Sequence, residues 1–496
     1  MTSTSVEAFS ENVVERSLTT SKVISLILAI LTPLSCLIAL VPLGLAFGGP
    51  SMPLTYLFVA VILGIFCVGY VEMARRITRP GAAYSYIARG LGRPVGAGIA
   101  FVTVAGAVLG AVAAFVTVAS VVSSILQIYG VLVPWTWVFC FEIVLGLVLT
   151  WFNIDFNARI MRVVIAIELL TFAVLAGAIV AAKGLDAFPM SVLSFNILSS
   201  GHWQVAFIFA ILCFQGFESG ALYGPEAIKP EKTIPRALIG VVAILTIAFF
   251  FETWAFLAVT GTEDPMTVIL SNDPRMFVFN IASEYLGLAG SVLFSIIVMF
   301  GALAASVAAA NYATRYLSSV AQDSLLPSFL ALENRNRSPI GAYCAVLVLT
   351  IFTGIITAAY NLDAYTQVGS LLFGLSALAI TITQFFASFA VIGYFRRNGE
   401  ADVSQVKTQL APAIAAVLLA GALAIELTSL EWVTGSSESW AVYLPLAFVA
   451  LFIAGCGFTL WLKANRADVY QGLAAGDTAE EAAAIRERRL NMALTT

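Results

Sequence analysis

Charge is what this chain has least of. Only 11% of its 496 residues are Asp, Glu, Lys or Arg, against roughly 25% in a water-soluble domain, so water is not the solvent for most of its surface. Histidine occurs once, as His202, which leaves no histidine set for haem or zinc. The six cysteines (Cys36, Cys67, Cys140, Cys213, Cys344, Cys456) lie one to a segment with no CxxC spacing, unlike a disulfide framework or a thiolate metal site. No cofactor and no nucleic-acid partner are expected. The opening "MTSTSVEAFSENVVERSLTTSK" lacks the basic start, apolar centre and cleavage site of a secretory signal, and reads as a cytosolic tail. Short alternating strands, the mark of a membrane barrel, are also missing.

Apolar residues fill the gap: 60% of the chain is hydrophobic, and its mean hydropathy is +0.95. They come in runs long enough to cross a hydrocarbon core of roughly 30 Å. Twelve spans are expected, near 24–47, 54–74, 95–125, 131–151, 160–183, 203–223, 236–260, 278–310, 341–360, 365–395, 409–428 and 441–462. The cations sort cleanly between the connections. Arg75, Arg76, Arg79, Arg89 and Arg93 follow the second span, and Lys229, Lys232 and Arg236 follow the sixth. Of 25 Lys and Arg, all but Lys183 and Arg275 fall on one side, counting both termini. The positive-inside rule then puts both ends in the cytoplasm of a cell membrane. The arginine-rich connection also suits anionic lipid headgroups, although the topology rule alone accounts for it.

Two spans are irregular. The first, "ILAILTPLSCLIALVPLGLAFGGP", contains Pro33, Pro42 and Gly44. The sixth, "FIFAILCFQGFESGALYGPEAIKP", carries Gln215, Gly216, Glu218 and Gly220 before Gly224-Pro225. They open two successive sets of five spans, where inverted-repeat transporters put their discontinuous helices. Broken backbone cannot face lipid and must face protein or a watery cavity. There a half-helix N-terminus attracts a carboxylate, and freed carbonyls accept from an ammonium group. The bland alternative is that these residues only kink or pack helices. Glu218 weighs against it in the sixth span.

The residues "FQGFESGALYGPEAIKPEKTIPRAL", "MARRITRPGAAYSYIARGLGRPVG" and "NYATRYLSSVAQDSLLPSFLALENRNRSP" resemble three signatures of the amino acid–polyamine–organocation (APC) superfamily of permeases. They occur in the family's order and spacing. The resemblance implies an all-α polytopic membrane protein of 12 transmembrane helices: a LeuT-type 5+5 inverted repeat, with helices 1 and 6 broken and two peripheral helices. The expected division is a tail over 1–22, repeats over 23–183 and 203–395, peripheral helices over 409–462 and a second tail over 463–496. It implies alternating-access transport of an amino acid, proton-coupled or by exchange. Carried over from the family, carboxylate binding falls at Ser35, Cys36 and Leu37. Amine binding falls at Leu212, Cys213, Gln215 and Gly216, with Phe214 and Phe217 as aromatic gates.

One departure opens another substrate. Many members have a glycine-rich element in helix 1, where this chain reads "TPLSCL". Without glycine, backbone approaches a carboxylate less closely. An amine lacking a carboxylate, ethanolamine- or polyamine-like, is therefore the alternative, and a non-transporting sensor on the same fold is a third reading. Charges inside spans are costly and each needs a reason. Glu168, mid-span 5, stands where proton-coupled relatives often place a lysine; it is a proton carrier, or else a permanently protonated group bonded to helix 1. Glu218 supports the helix 6 break or meets substrate. Glu142 and Glu252 are expected at water-facing or helix-packing positions, and Arg315 and Asp323 in an ion-pair network closing the inner side. A channel would need a continuous polar file, and an enzyme a nucleophile with its base. Neither pattern is present.

Overall fold

Pro33 decides where the first apolar run breaks. It has no N–H to donate, its ring collides with the preceding turn of a continuing helix, and it disfavours helical geometry at the residue before it. Thr32 accordingly takes a left-handed conformation (φ 44°, ψ 70°), ending α1 (Thr20–Leu31) and starting α2 (Pro33–Ala39). Pro42 sits at the start of the next piece, α3 (Val41–Gly48), where a missing N–H costs nothing. The computed structural model describes residues 16–79, 81–151, 154–199, 202–271, 273–335, 338–398, 403–429, 431, 443–478, 481 and 484.

The chain continues through α4 (Met52–Arg76), the short α5 (Ala82–Leu91), α6 (Arg93–Ile128), α7 (Trp135–Trp151) and α8 (Ile154–Lys183). After α9 (Trp203–Leu212) come a 3-10 helix over Phe217–Tyr223, α10 (Pro230–Thr260) and α11 (Pro265–Leu270). Then follow α12 (Phe277–Gln322), α13 (Ile340–Ala359), α14 (Ser370–Asn398), α15 (Ala411–Thr428), α16 (Pro445–Asn465) and α17 (Ala467–Gly472). Among the described residues there is no strand, only an isolated bridge between Leu18 and Ala227. Eleven stretches among the described residues are long and apolar enough to cross a membrane, and Trp135–Thr150 is a shorter apolar helix. This is a multi-pass membrane protein. The 46-residue α12 is two helices merged at Gly287, whose φ of 69° no helix tolerates.

Packing gathers the first and sixth spans at the centre. α4 lies along α10, and α6 along α12, α14 and α16. The described ends of the chain meet at one face of this bundle. Leu18 donates to the Glu226 carbonyl (3.0 Å) and accepts from Ile228 (3.0 Å). At the other end of the sequence, α17 and the extended residues after it run beneath α5 and the end of α12, where Thr78 and Arg79 both donate to the Asp477 carbonyl. The expected C-terminal tail is thus a docked segment over 467–477. The rest of the expected tail, beyond residue 478, falls almost entirely outside the described residues.

Candidate transport site

Both breaks open onto one cavity of about 540 Å3. On the first span Thr32, Ser35 and Cys36 line it; on the sixth, Leu212, Gln215 and Gly216 do. The sixth span loosens stepwise. Cys213, Phe214 and Gln215 donate to carbonyls only three residues back, and Gly216 then turns left-handed at φ 94°. That turn requires glycine. It re-aims the chain into the Phe217–Tyr223 helix, leaving helical carbonyls without their usual partners.

The cavity runs away from the terminal face. Phe47, Tyr365, Thr366 and Glu431 line its far part, and they belong to the ends of helices that point away from Leu18 and Asp477. Tyr365 there donates to the Ala39 carbonyl (2.8 Å), clasping the start of the tenth span to the first.

Not every residue expected at the site reaches the cavity. Leu37 and Cys213 are fully buried and do not line it; the Cys213 thiol donates to Phe209 O (3.2 Å) and meets the Tyr56 hydroxyl (3.5 Å). Phe214 and Phe217 also lie behind the wall. Phe214 packs with Tyr56 and Phe249. Phe217 stands edge-on to Phe66, which stacks on Tyr70 (5.0 Å between ring centroids). These rings fill the bundle beside the breaks rather than the cavity itself.

Glu218 anchors the sixth-span break. Its carboxylate accepts from the Tyr312 hydroxyl (3.3 Å) on α12 and from Gln384 Nε2 (3.1 Å) on α14. The backbone amides of Glu218 and Gly216 also face it. Three spans are thereby tied to one carboxyl. Glu168, 1% exposed, wedges between the first and eighth spans. The Leu34 backbone N–H faces it, and its carboxyl rests against Gly301 of α12, where any Cβ would collide with it. One oxygen, Oε2, has no hydrogen-bond partner among the described residues. Glu142 and Glu252 are equally buried, and among the described residues neither has a partner for either oxygen; water-facing placement is excluded and helix packing remains. Glu426, overlooked in the sequence, accepts from Thr381 (3.0 Å).

The terminal face is closed by charge. Arg79, whose side chain is 3% exposed, donates from Nη2 to both oxygens of Asp323 at 2.7 Å. Tyr84 (2.9 Å) and the Ala474 backbone N–H (3.0 Å) complete the shell of Asp323. Arg315 pairs instead with Glu226 (2.7 Å) and covers the Tyr223 ring, so Arg315 and Asp323 belong to two separate pairs. The arginines after the second span are engaged by the chain itself. Arg79 donates to Ala475 O (2.8 Å), Arg89 to Asp477, and Arg93 to Leu473 O and Gln471 O (3.0 Å each).

A cavity at two helix breaks, closed at one face by ion pairs, is a transporter's geometry. A family profile described as amino acid permease matches residues 17–473. The chain belongs to the amino acid permease family. Members of this family are transporters, not enzymes. Relatives of this family member include the histidine permease HisP of Lactococcus lactis subsp. cremoris, 26% identical over 245 residues, which are 48% of this chain and 50% of the relative. The lysine-specific permease LysP of the same strain is 28% identical over 159 residues, 31% of this chain and 30% of the relative. L-asparagine permease 1 of Mycobacterium tuberculosis (strain H37Rv) is 29% identical over 194 residues, 39% and 36% respectively. The matched stretches thus span half or less of each relative's length. No cluster of His, Cys, Asp and Glu able to hold a metal occurs among the described residues.

Proposed function

We propose that this chain is a secondary active transporter that moves an amino acid across the cytoplasmic membrane by alternating access. The observation that carries the reading is the single cavity joining both helix breaks, sealed at the terminal face by Arg79–Asp323 and Arg315–Glu226. With the termini cytoplasmic, as the cation distribution indicates, this is the outward-facing state. Residues 23–183 and 203–395 act as the two five-helix repeats, with 409–462 peripheral. Ser35, Cys36, Leu212, Gln215 and Gly216 hold the substrate's polar end at the breaks. The relatives named for histidine, lysine and asparagine support an amino acid without fixing its side chain.

Glu168 is the proton-coupling group in this reading. It is buried beside the first-span break and keeps one oxygen unpartnered among the described residues, so a proton taken or released there alters how the first and eighth spans meet.

A second reading, an amine without a carboxylate, draws on one feature. The Leu34 N–H, beside the first break, already faces the chain's own Glu168 carboxyl. The test is uptake of labelled amino acids into cells, with Gly216→Leu as control. That substitution forces a branched side chain into a left-handed turn and should abolish uptake while surface expression persists. Unchanged uptake refutes the site.

A further inference from the structure

We infer that the cavity takes a substrate whose side chain is apolar and uncharged, of the leucine-to-phenylalanine class. The inference rests on the amino acid permease reading and adds the side-chain class. Among the described lining residues one alone carries a charge, Glu431, exposed at the far mouth. The wall is mostly hydrocarbon, although Thr117, Tyr312, Tyr365, Thr366, Ser370 and Ser376 also line it. α6 presents Ala107, Gly110, Ala111 and Ala114, spaced to share one helix face, and α12 adds Ala305 and Ala309. Ile30, Leu40, Leu43, Phe209, Phe373 and Ile380 close the remaining sides.

The small residues on α6 and α12 leave room, and the larger ones opposite supply contact area. At the breaks Thr32, Ser35 and Gln215 line the cavity; Ser35 Oγ and Gln215 Nε2 have no partner among the described residues. Thr117, 7% exposed, lines the cavity with its hydroxyl unpartnered too. A substrate's polar end thus has neutral hydrogen-bonding groups to meet, and its side chain meets alkyl surface.

The carboxyls nearest the breaks do not alter this balance. Glu218 is held by Tyr312 and Gln384, Glu168 lies against Leu34 and Gly301, and neither lines the cavity. A cationic side chain entering here would lose its water and, among the described residues inside the mouth, gain no counter-ion, the costly case of an unpaired buried charge. An alkyl or aromatic side chain gains from the same wall through area removed from water.

The experiment is a thermal-stability titration of the purified full chain with four probes: norleucine, lysine, pentylamine and cadaverine. Within each pair the chains are similar in length and differ by a terminal ammonium; between the pairs only the carboxylate differs. A ligand bound to the folded state alone raises the melting temperature with concentration. Norleucine should do so at concentrations at least tenfold below those lysine needs. Lysine acting as well as norleucine overturns the side-chain class and leaves the permease reading intact. Pentylamine acting where norleucine does not, and better than cadaverine, supports the apolar wall and overturns an amino acid as substrate. No shift with any probe overturns both. Ala309→Phe locates the effect, because it fills the cavity from α12 and should remove the norleucine shift. A shift that survives in this folded variant means binding elsewhere and overturns the inference.

Discussion

Replacing Asp323 by asparagine takes one charge from the pair that shuts the terminal face. Asp323 is 8% exposed, and Arg79 donates twice to it at 2.7 Å. Removing one partner of a buried pair costs about 3–5 kcal/mol, because the other charge stays buried and uncompensated. Asparagine keeps an acceptor for Tyr84 and for the Ala474 amide, so the lower figure, about 3 kcal/mol, applies. The cost falls only on the closed arrangement, since opening returns Arg79 to water. A shift of about 3 kcal/mol changes a two-state equilibrium roughly 150-fold. A population favouring the far-side-open state ten to one would become about one to fifteen. The assay places a single cysteine at Ala309, deep in the cavity, in a background with the native cysteines replaced. A membrane-impermeant maleimide applied from the far side then reads the open fraction. Labelling should slow about fifteenfold on that arithmetic. Labelling within twofold of the parent, in protein that remains monodisperse, would refute the argument that this pair holds the face shut.

Two further outcomes are expected. Glu168→Gln should abolish accumulation driven by a pH gradient while exchange of substrate across the membrane persists; accumulation that still follows the gradient removes Glu168 from the coupling. Asp363 caps the start of the tenth span, accepting from Tyr365 N (3.0 Å) and Thr366 N (2.6 Å). Burial pushes its carboxyl upward, but these amides and the Thr366 hydroxyl outweigh it and hold the group below the ordinary carboxylate range. A lowered value in the folded state means the stabilisation is present above the ordinary range and is lost as pH falls through the lowered value. Asp363→Ala should therefore cost about 1 kcal/mol at pH 7, and melting curves of variant and parent should converge as pH falls below the ordinary carboxylate range. A gap independent of pH would mean the carboxylate's charge contributes nothing.

The sequence was legible wherever a residue type carries its own backbone consequence. Pro33 and Gly216 each permit few conformations, so the places where the first and sixth spans lose their helical form could be read from single letters. Phase was harder. A broken helix has no fixed 100° per residue, and so Leu37 and Cys213, one or two positions from lining residues, turn away from the cavity. Partner choice among charges was harder still. Arg315 on α12 and Asp323 just past its end are eight residues apart, yet each pairs with a residue brought from elsewhere, Glu226 and Arg79. The docked C-terminal segment left no trace at all, because it binds largely through the carbonyls of Gln471, Leu473, Ala475 and Asp477. Every residue has a carbonyl, so no composition marks such a segment.

That segment also has a consequence for the order in which the protein is made. Residues 467–477 leave the ribosome after every membrane span, yet the Ala474 amide and the Ala475 carbonyl complete the shell around Asp323 and Arg79. Until they arrive, Asp323 lacks one donor and Arg79 one acceptor. The nascent bundle therefore sits in the bilayer with its helices in place and this face incompletely sealed, and the seal is finished only when the end of the chain folds back upon it.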